Sequence, residues 1–201
     1  MPLYTEGYFR NLYERNRRTF SESYEPKVQM RESATFDIFL SHNYLDKEVV
    51  RGIFIELSRK GFKVYVDWII DHHLSRESVT KESAELIRTR MRNSKSLILA
   101  LSENYELSKW MPWELGYVDG NTQKCALLPV TRTRNKTSFH RVEYLKLYPY
   151  IKTDDISSLI GYGSSSNNRQ LIMESGTSYT DLKRWVNGDN LRFQLKNIQN
   201  L

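Results

Sequence analysis

The sequence predicts an α/β fold, a doubly wound parallel β-sheet with helices on both faces. Three observations predict it. Between residues 36 and 130, short apolar runs alternate with segments of helical periodicity in the order β, α, β, α, β, α, β. The apolar runs are nearly continuous, as strands buried on both faces are, instead of alternating apolar with polar. Each early run also ends in polar residues, where the loops at the carboxyl edge of such a sheet begin.

Taken in order, residues 1–33 are polar and mixed in charge, with Tyr8, Phe9, Leu12 and Tyr13 spaced to line one side of a helix. One or two helical turns packed against the domain are expected there, then a linker through Glu25-Pro26. Phe36 to Leu40 (FDIFL) is the first strand of the sheet and runs into Ser41-His42-Asn43. Val49, Val50, Ile53, Phe54 and Leu57 follow at helical spacing, and Gly61 stands where a helix-terminating glycine belongs. Lys63 to Asp67 is the second strand, Trp68 to Ser78 a loop, and Val79 to Met91 a helix with Ala84, Ile87 and Met91 on its apolar side. Ser96 to Leu101 is the third strand, Pro112 to Val118 a short helix, and Cys125 to Val130 the fourth strand. Parallel strands need crossovers, and right-handed crossovers put the helices on the two faces. In the flavodoxin-like order 2-1-3-4, ligands bind beyond the carboxyl ends of strands one and three, where the strand order reverses. That topology makes neighbours of Ser41-His42-Asn43 and the segment SENYELSKWMPWE, which are far apart in sequence.

Beyond residue 131 the pattern weakens. Val142 to Ile151 reads as a fifth strand or an edge, Gly161 to Asn168 (GYGSSSNN) as a loop, and Ser178 to Val186 as a capped helix. The expected organisation is an N-terminal helical extension (1–33), a core (34–131) and an α+β C-terminal extension (132–201) packed on it.

Composition narrows the function. The chain has 201 residues, enough for one domain with appendages, and a 12% aromatic share that argues against disorder. Its single cysteine, Cys125, excludes an intramolecular disulfide framework and sits in an apolar strand, where a small core residue is expected and not a nucleophile. No stretch approaches the roughly 18 to 20 apolar residues of a membrane span, and the start lacks the apolar region of a signal peptide, so a cytoplasmic location is expected. On that expectation the sequon at Asn135 carries no weight. The net charge of +6 is concentrated late: residues 36–130 hold 13 basic and 13 acidic residues, residues 131–201 hold 11 and 6. Those late basic residues are scattered without aromatic interleaving, so nucleic-acid binding is not expected.

Missing motifs exclude further classes. No G-x-G-x-x-G follows the first strand and no G-x-x-x-x-G-K-[ST] occurs, which removes the dinucleotide-fold dehydrogenases and the P-loop NTPases. No G-x-S-x-G elbow occurs either. His72 and His73 are adjacent, point in different directions and have no ligand cluster at metal spacing, so no metal site is expected.

The stretch SKWMPWELG, Ser108 to Gly116, holds the candidate chemistry. Pro112 suits a helix start, and Glu114 just inside it can meet unpaired amide groups and complement the helix dipole. The same spacing, Trp110 to Glu114, puts an indole and a carboxylate on one side of the chain, an arrangement that suits a planar cation. Both readings stand on residue types alone.

The series DIFLSH, VYVD, SLILALSENY and SKWMPWELG, in that order and spacing, resembles the Toll/interleukin receptor (TIR) domain, specifically its stand-alone bacterial type. The resemblance spans about residues 34 to 131 and implies the same flavodoxin-like sheet. Many TIR domains cleave the nicotinamide glycosidic bond of NAD+ with a glutamate in a W-x-x-x-E motif, and Trp110 to Glu114 matches that motif. The resemblance implies Glu114 as the catalytic carboxylate, Trp110 as a ring for nicotinamide, and Ser41, His42, Asn43 and Asp67 as substrate contacts. Some enzymes of the family carry an aromatic and an arginine where His42-Asn43 stand. Trp113 is open between core and site border. Trp68, Ile69 and Ile70 fall in the family's loop for head-to-tail self-association; they form either an exposed interaction patch or a lid over their own core. NAD+ is then a substrate with no resident cofactor, and the implied partners are other copies of the chain and an effector that reads a nucleotide product. The resemblance further implies defence against phage, by draining NAD+ or by making an ADP-ribose-derived signal, and the lack of a second effector domain favours the signal. A non-catalytic adaptor and a nucleoside deoxyribosyltransferase are the alternatives.

Overall fold

The structure is a computed structural model and describes residues 3–24, 30–71, 80–136, 139, 143–153, 170–173 and 179–188. The parallel core is β2 (Phe36–Ser41), β3 (Val64–Tyr65), β4 (Ser94–Leu101) and β5 (Cys125–Thr131). Its order is β3-β2-β4-β5, the 2-1-3-4 arrangement expected, and β6 (Tyr150–Thr153) extends it in parallel beside β5. The strand order reverses between β2 and β4, where Ser41 lies beside Leu99.

Burial explains why these strands form. All seven residues of β5, and all of β4 except Lys95, are buried, so neither strand needs an alternating pattern. Cys125 is part of that core; burial pushes its thiol pKa up and keeps it uncharged.

The helices are α2 (Lys47–Arg59), α3 (Asp67–Ile70), α4 (Lys81–Arg92) and α5 (Met111–Thr122). α4 and α5 pack on each other and on the central strands, whereas α2 crosses from β2 to β3 beneath α1 (Glu6–Tyr24). Because crossovers in the two directions are both right-handed, these pairs occupy opposite faces. Gly61, with φ +86, ends α2: its amide bonds Ser58 and the Phe62 amide bonds Leu57, the paired contacts of a Schellman turn.

Four elements differ from expectation. The N-terminal helix has 19 residues, not one or two turns, because Phe9, Tyr13 and Phe20 keep one apolar face along it. It approaches α2 so closely that a Cβ on Gly52 would lie 2.2 Å from the Phe9 carbonyl oxygen, so only glycine fits. The second strand is cut to two residues, since Asp67 already begins α3 in the segment expected to be loop. Val142 to Ile151 divides into a 3₁₀ turn over Glu143–Leu147 and β6, and Ser178 to Val186 into β8 (Tyr179–Asp181) and α6 (Leu182–Val186). Two further strands add to the sheet: β7 (Gln170–Met173), antiparallel to β6 and β8, and β1 (Tyr4–Thr5), parallel to the last residues of β5. Leu182, Trp185 and Val186 of α6 join the core, and Lys124 Nζ bonds the Trp185 carbonyl at 2.9 Å. Glu25-Pro26, His72-His73 and Gly161 to Asn168 lie outside the described residues. Among the described residues no helix is long and apolar enough to cross a membrane.

Candidate functional site

Strand β2 delivers Ser41, its last residue, to the reversal point, and α5 delivers Glu114 to the same place. The Ser41 hydroxyl donates to Glu114 Oε2 at 2.5 Å, with both side chains buried. A carboxyl group at 1% exposure is costly to bury without hydrogen-bond partners, and Ser41 is one such partner. Glu114 stands in the first turn of α5, which begins at Met111, and Ser108 Oγ accepts the amides of Trp110 and Met111 at 3.3 Å each.

Trp110 is the residue before the first helical one and already has helical dihedrals; its carbonyl accepts the Glu114 amide at 2.9 Å. The chain between ring and carboxylate is therefore helical, which is the condition for the two to share a side. Trp113 proves to be half-buried in an aromatic row: its ring is 5.4 Å from Trp110, 6.1 Å from Tyr117 and 5.5 Å from the Arg88 guanidinium. A cleft of about 290 Å³ opens at the same first turn of α5, between Met111 and Pro112 on one side and Tyr105, Glu106 and Tyr144 on the other. That volume and those rings suit one flat heterocycle with substituents.

The loop after β2 is held from within. His42 is 1% exposed, and both ring nitrogens are engaged by the protein. The Trp68 indole Nε1–H donates to His42 Nε2 at 2.7 Å, so that nitrogen carries no proton; Nδ1 therefore does, and donates to the Leu40 carbonyl at 2.9 Å. Asp67, buried at the start of α3, lies 3.6 Å from the same Nε2. Asn43 is turned inward as well: it donates to the Asn104 carbonyl at 2.6 Å and accepts the Leu45 amide at 2.9 Å. In this arrangement His42 and Asn43 shape the loop and do not present free polar groups to a ligand.

Trp68, Ile69 and Ile70 also settle on one of their two readings. Ile69 and Ile70 are buried in the core and Trp68 is half-buried against His42, so the exposed patch gives way to a short helical lid. Both isoleucines belong to the core cluster, in the four-residue helix that follows the two-residue β3.

Three polar residues escaped the sequence reading, Asp46 and Ser102 buried and Asn104 half-buried. Asp46 accepts from Asn104 Nδ2 at 2.7 Å and from the Ser102 hydroxyl, and Ser102 Oγ accepts the Asn104 amide at 3.1 Å. Together with Asn43 they clasp the loop after β2 to the loop after β4. The available signal was the polar pair Ser102 and Asn104 following an apolar strand at the reversal point, a position where polar side chains meet across the two loops. Among the described residues no three His, Cys, Asp or Glu side chains gather as a metal site.

With this geometry in hand, similarity to known proteins is informative. The family model described as TIR domain matches residues 38–160. A Bacillus cereus (strain MSX-D12) protein described as a probable 3' cyclic ADP-D-ribose synthase, ThsB', is 42% identical over 151 residues, covering 75% of this chain and 75% of that protein. A putative cyclic ADP-D-ribose synthase, TIR2, of Cytobacillus dafuensis is 30% identical over 83 residues, 41% of this chain and 22% of that protein. The NAD(+) hydrolase TirS of Staphylococcus aureus (strain MSSA476) is 30% identical over 114 residues, 55% of this chain and 39% of that protein. Sheet order, the W-x-x-x-E stretch and a match over more than half of the sequence agree: the chain belongs to the TIR-domain family.

Proposed function

We propose that this protein cleaves the bond between nicotinamide and ribose in NAD+ and closes the ADP-ribose product into a ring. The observation that carries the reading is the Ser41–Glu114 pair at the strand-order reversal, four residues along a helix from Trp110. The descriptions of the Bacillus, Cytobacillus and Staphylococcus relatives support it, the first two in favour of a cyclised product.

The chemistry follows from the charges. Nicotinamide leaves as a neutral molecule, taking the bonding electrons into its cationic ring, so little general-acid help is required. The ribosyl centre becomes oxocarbenium-like, and the Glu114 carboxylate stabilises it, as a carboxylate does in glycoside hydrolysis. A hydroxyl of the adenosine ribose then forms the new C–O bond and loses its proton; in hydrolysis water takes that place. Trp110 holds the pyridinium face, an attraction worth roughly 0.5 to 2 kcal/mol. The cleft at the first turn of α5 suits a base of the dinucleotide.

Glu114 is 1% exposed, so the carboxyl end of β2 at Ser41, or the loop after it, has to give way before a ribose reaches the carboxylate. Contact between copies of the chain is the proposed trigger. Leu45 and Leu107, 66% and 68% exposed on the loops after β2 and β4, are the apolar side chains offered to such a contact. The setting is cytoplasmic, and the product addresses an effector protein.

Concentrated wild-type protein incubated with NAD+ should release nicotinamide and a product lighter than ADP-ribose by one water in mass spectrometry. Glu114→Ala should release neither. Equal turnover by that variant would end the assignment of Glu114, and no turnover by wild type in any assembled state would leave an adaptor.

A further inference from the structure

The family match begins at residue 38, so α1 lies outside it, yet α1 is joined to Trp68 beside the site through the side chain of Arg51. Arg51 of α2 places its guanidinium 5.1 Å from the ring centre of Tyr13 and 6.0 Å from that of Phe20, both on α1, and 4.9 Å from the ring of Trp68 on α3. Its Nε is buried and has no hydrogen-bond partner among the described residues. The cation is thus held by aromatic faces, a geometry that a planar guanidinium fills and an ammonium does not. Trp68 in turn donates its indole N–H to His42, whose other nitrogen donates to the Leu40 carbonyl, one residue before Ser41.

We infer that Arg51 is a positioning residue: wedged between α1 and Trp68, it holds the indole on His42 and thereby holds Ser41 against Glu114. The N-terminal helix is then part of the site's framework and not an appendage. A wedge removed from either side has the same result. Without the Arg51 guanidinium, or without the α1 rings behind it, the indole loses its backing and the His42 ring its fixed tautomer.

Helix α1 also touches α2 elsewhere, which supplies the control. Arg59 of α2 bonds the Asn16 side chain of α1, and among the described residues no hydrogen bond or ring contact joins Arg59 to Trp68. The experiment compares Arg51→Met, Arg51→Lys, Phe20→Leu and Arg59→Ala in the full chain by two readouts. The first is the long-range proton–nitrogen NMR correlation of His42, where the wild type shows a proton on Nδ1 and a bare Nε2. The second is kcat and KM for nicotinamide release, which rests on the NAD+ reading. Arg51→Met and Phe20→Leu should blur the single tautomer and lower kcat about tenfold with a smaller change in KM, the scale expected when a positioned group drifts. Arg51→Lys should fall between them and wild type. Arg59→Ala should keep both readouts while lowering the melting temperature. An unchanged His42 pattern in folded Arg51→Met and Phe20→Leu overturns the inference, as does an equal change in Arg59→Ala. Should Arg51→Met not fold, Phe20→Leu and Arg51→Lys decide by the same criteria. If wild type releases no nicotinamide, the NAD+ reading fails and the His42 spectrum alone decides.

Discussion

At the residue scale, the Ser41 hydroxyl and the Glu114 carboxylate depend on each other. Removing a donor from a buried acceptor costs about 1 to 3 kcal/mol, more than the net worth of an ordinary hydrogen bond. Ser41→Ala should therefore lower the melting temperature and also slow nicotinamide release, whereas Ser41→Thr, which keeps the hydroxyl, should recover much of both. Thermal unfolding and initial rates on the same preparations check this. The pair was partly legible in the sequence: the Trp110 to Glu114 spacing and the polar end of the first strand pointed to one place. The roles of His42 and Asn43 were not, because they depend on Trp68 and Asn104, distant in sequence, which turn both side chains inward. A polar residue after a strand shows that it lies near a site; only its partners show which way it faces.

At the element scale, a buried ion pair ties α4 to the residue that follows α3. Arg90 of α4 grips Asp71 with two hydrogen bonds of 2.8 Å, and both side chains are at most 1% exposed. The Tyr65 hydroxyl donates to the same carboxylate at 2.9 Å, and the guanidinium also donates to the carbonyls of Met30 and Arg31. Burial, then the neighbouring Asp71 carboxylate, pushes the Tyr65 phenol well up, so it stays a donor throughout the physiological range. Asp71→Ala strands a buried guanidinium and should cost about 3 to 5 kcal/mol, read as a lower midpoint in urea unfolding. The core strands were legible because burial on both faces writes itself as continuous apolar runs. The length of α1 was not, since among its described side chains after Tyr13 only Phe20 marks the buried face. Nor was β1, whose two residues pair with Val130 and Thr131 from the far side of the chain. A helix of four residues, as α3 is, has too few positions to show a period.

At the scale of the whole molecule, Asp37 links three strands. Its carboxylate meets Lys95 Nζ of β4 at 2.7 Å and accepts the Lys63 amide before β3 at 2.9 Å. Partial burial alone would raise its pKa, but the bonds from Lys95 and Lys63 outweigh this and hold it below the usual carboxylate value. A folded value below the unfolded one, near 3.9, means that the contribution is complete above that pH. It is lost as pH falls through the lower folded value. Asp37→Asn should be less stable than wild type at neutral pH and show a shallower acid limb in a melting-temperature profile from pH 2 to 7.

Among the described residues the sheet stops in strands of two residues at β3 and three at β8. Such short edges offer an incoming strand almost no ladder of amides and carbonyls to extend. Copies of this chain can therefore crowd together at high local concentration without fusing their sheets into an amyloid-like stack. The proposed contact between copies, if made by loops and side chains, is one that can be taken apart again.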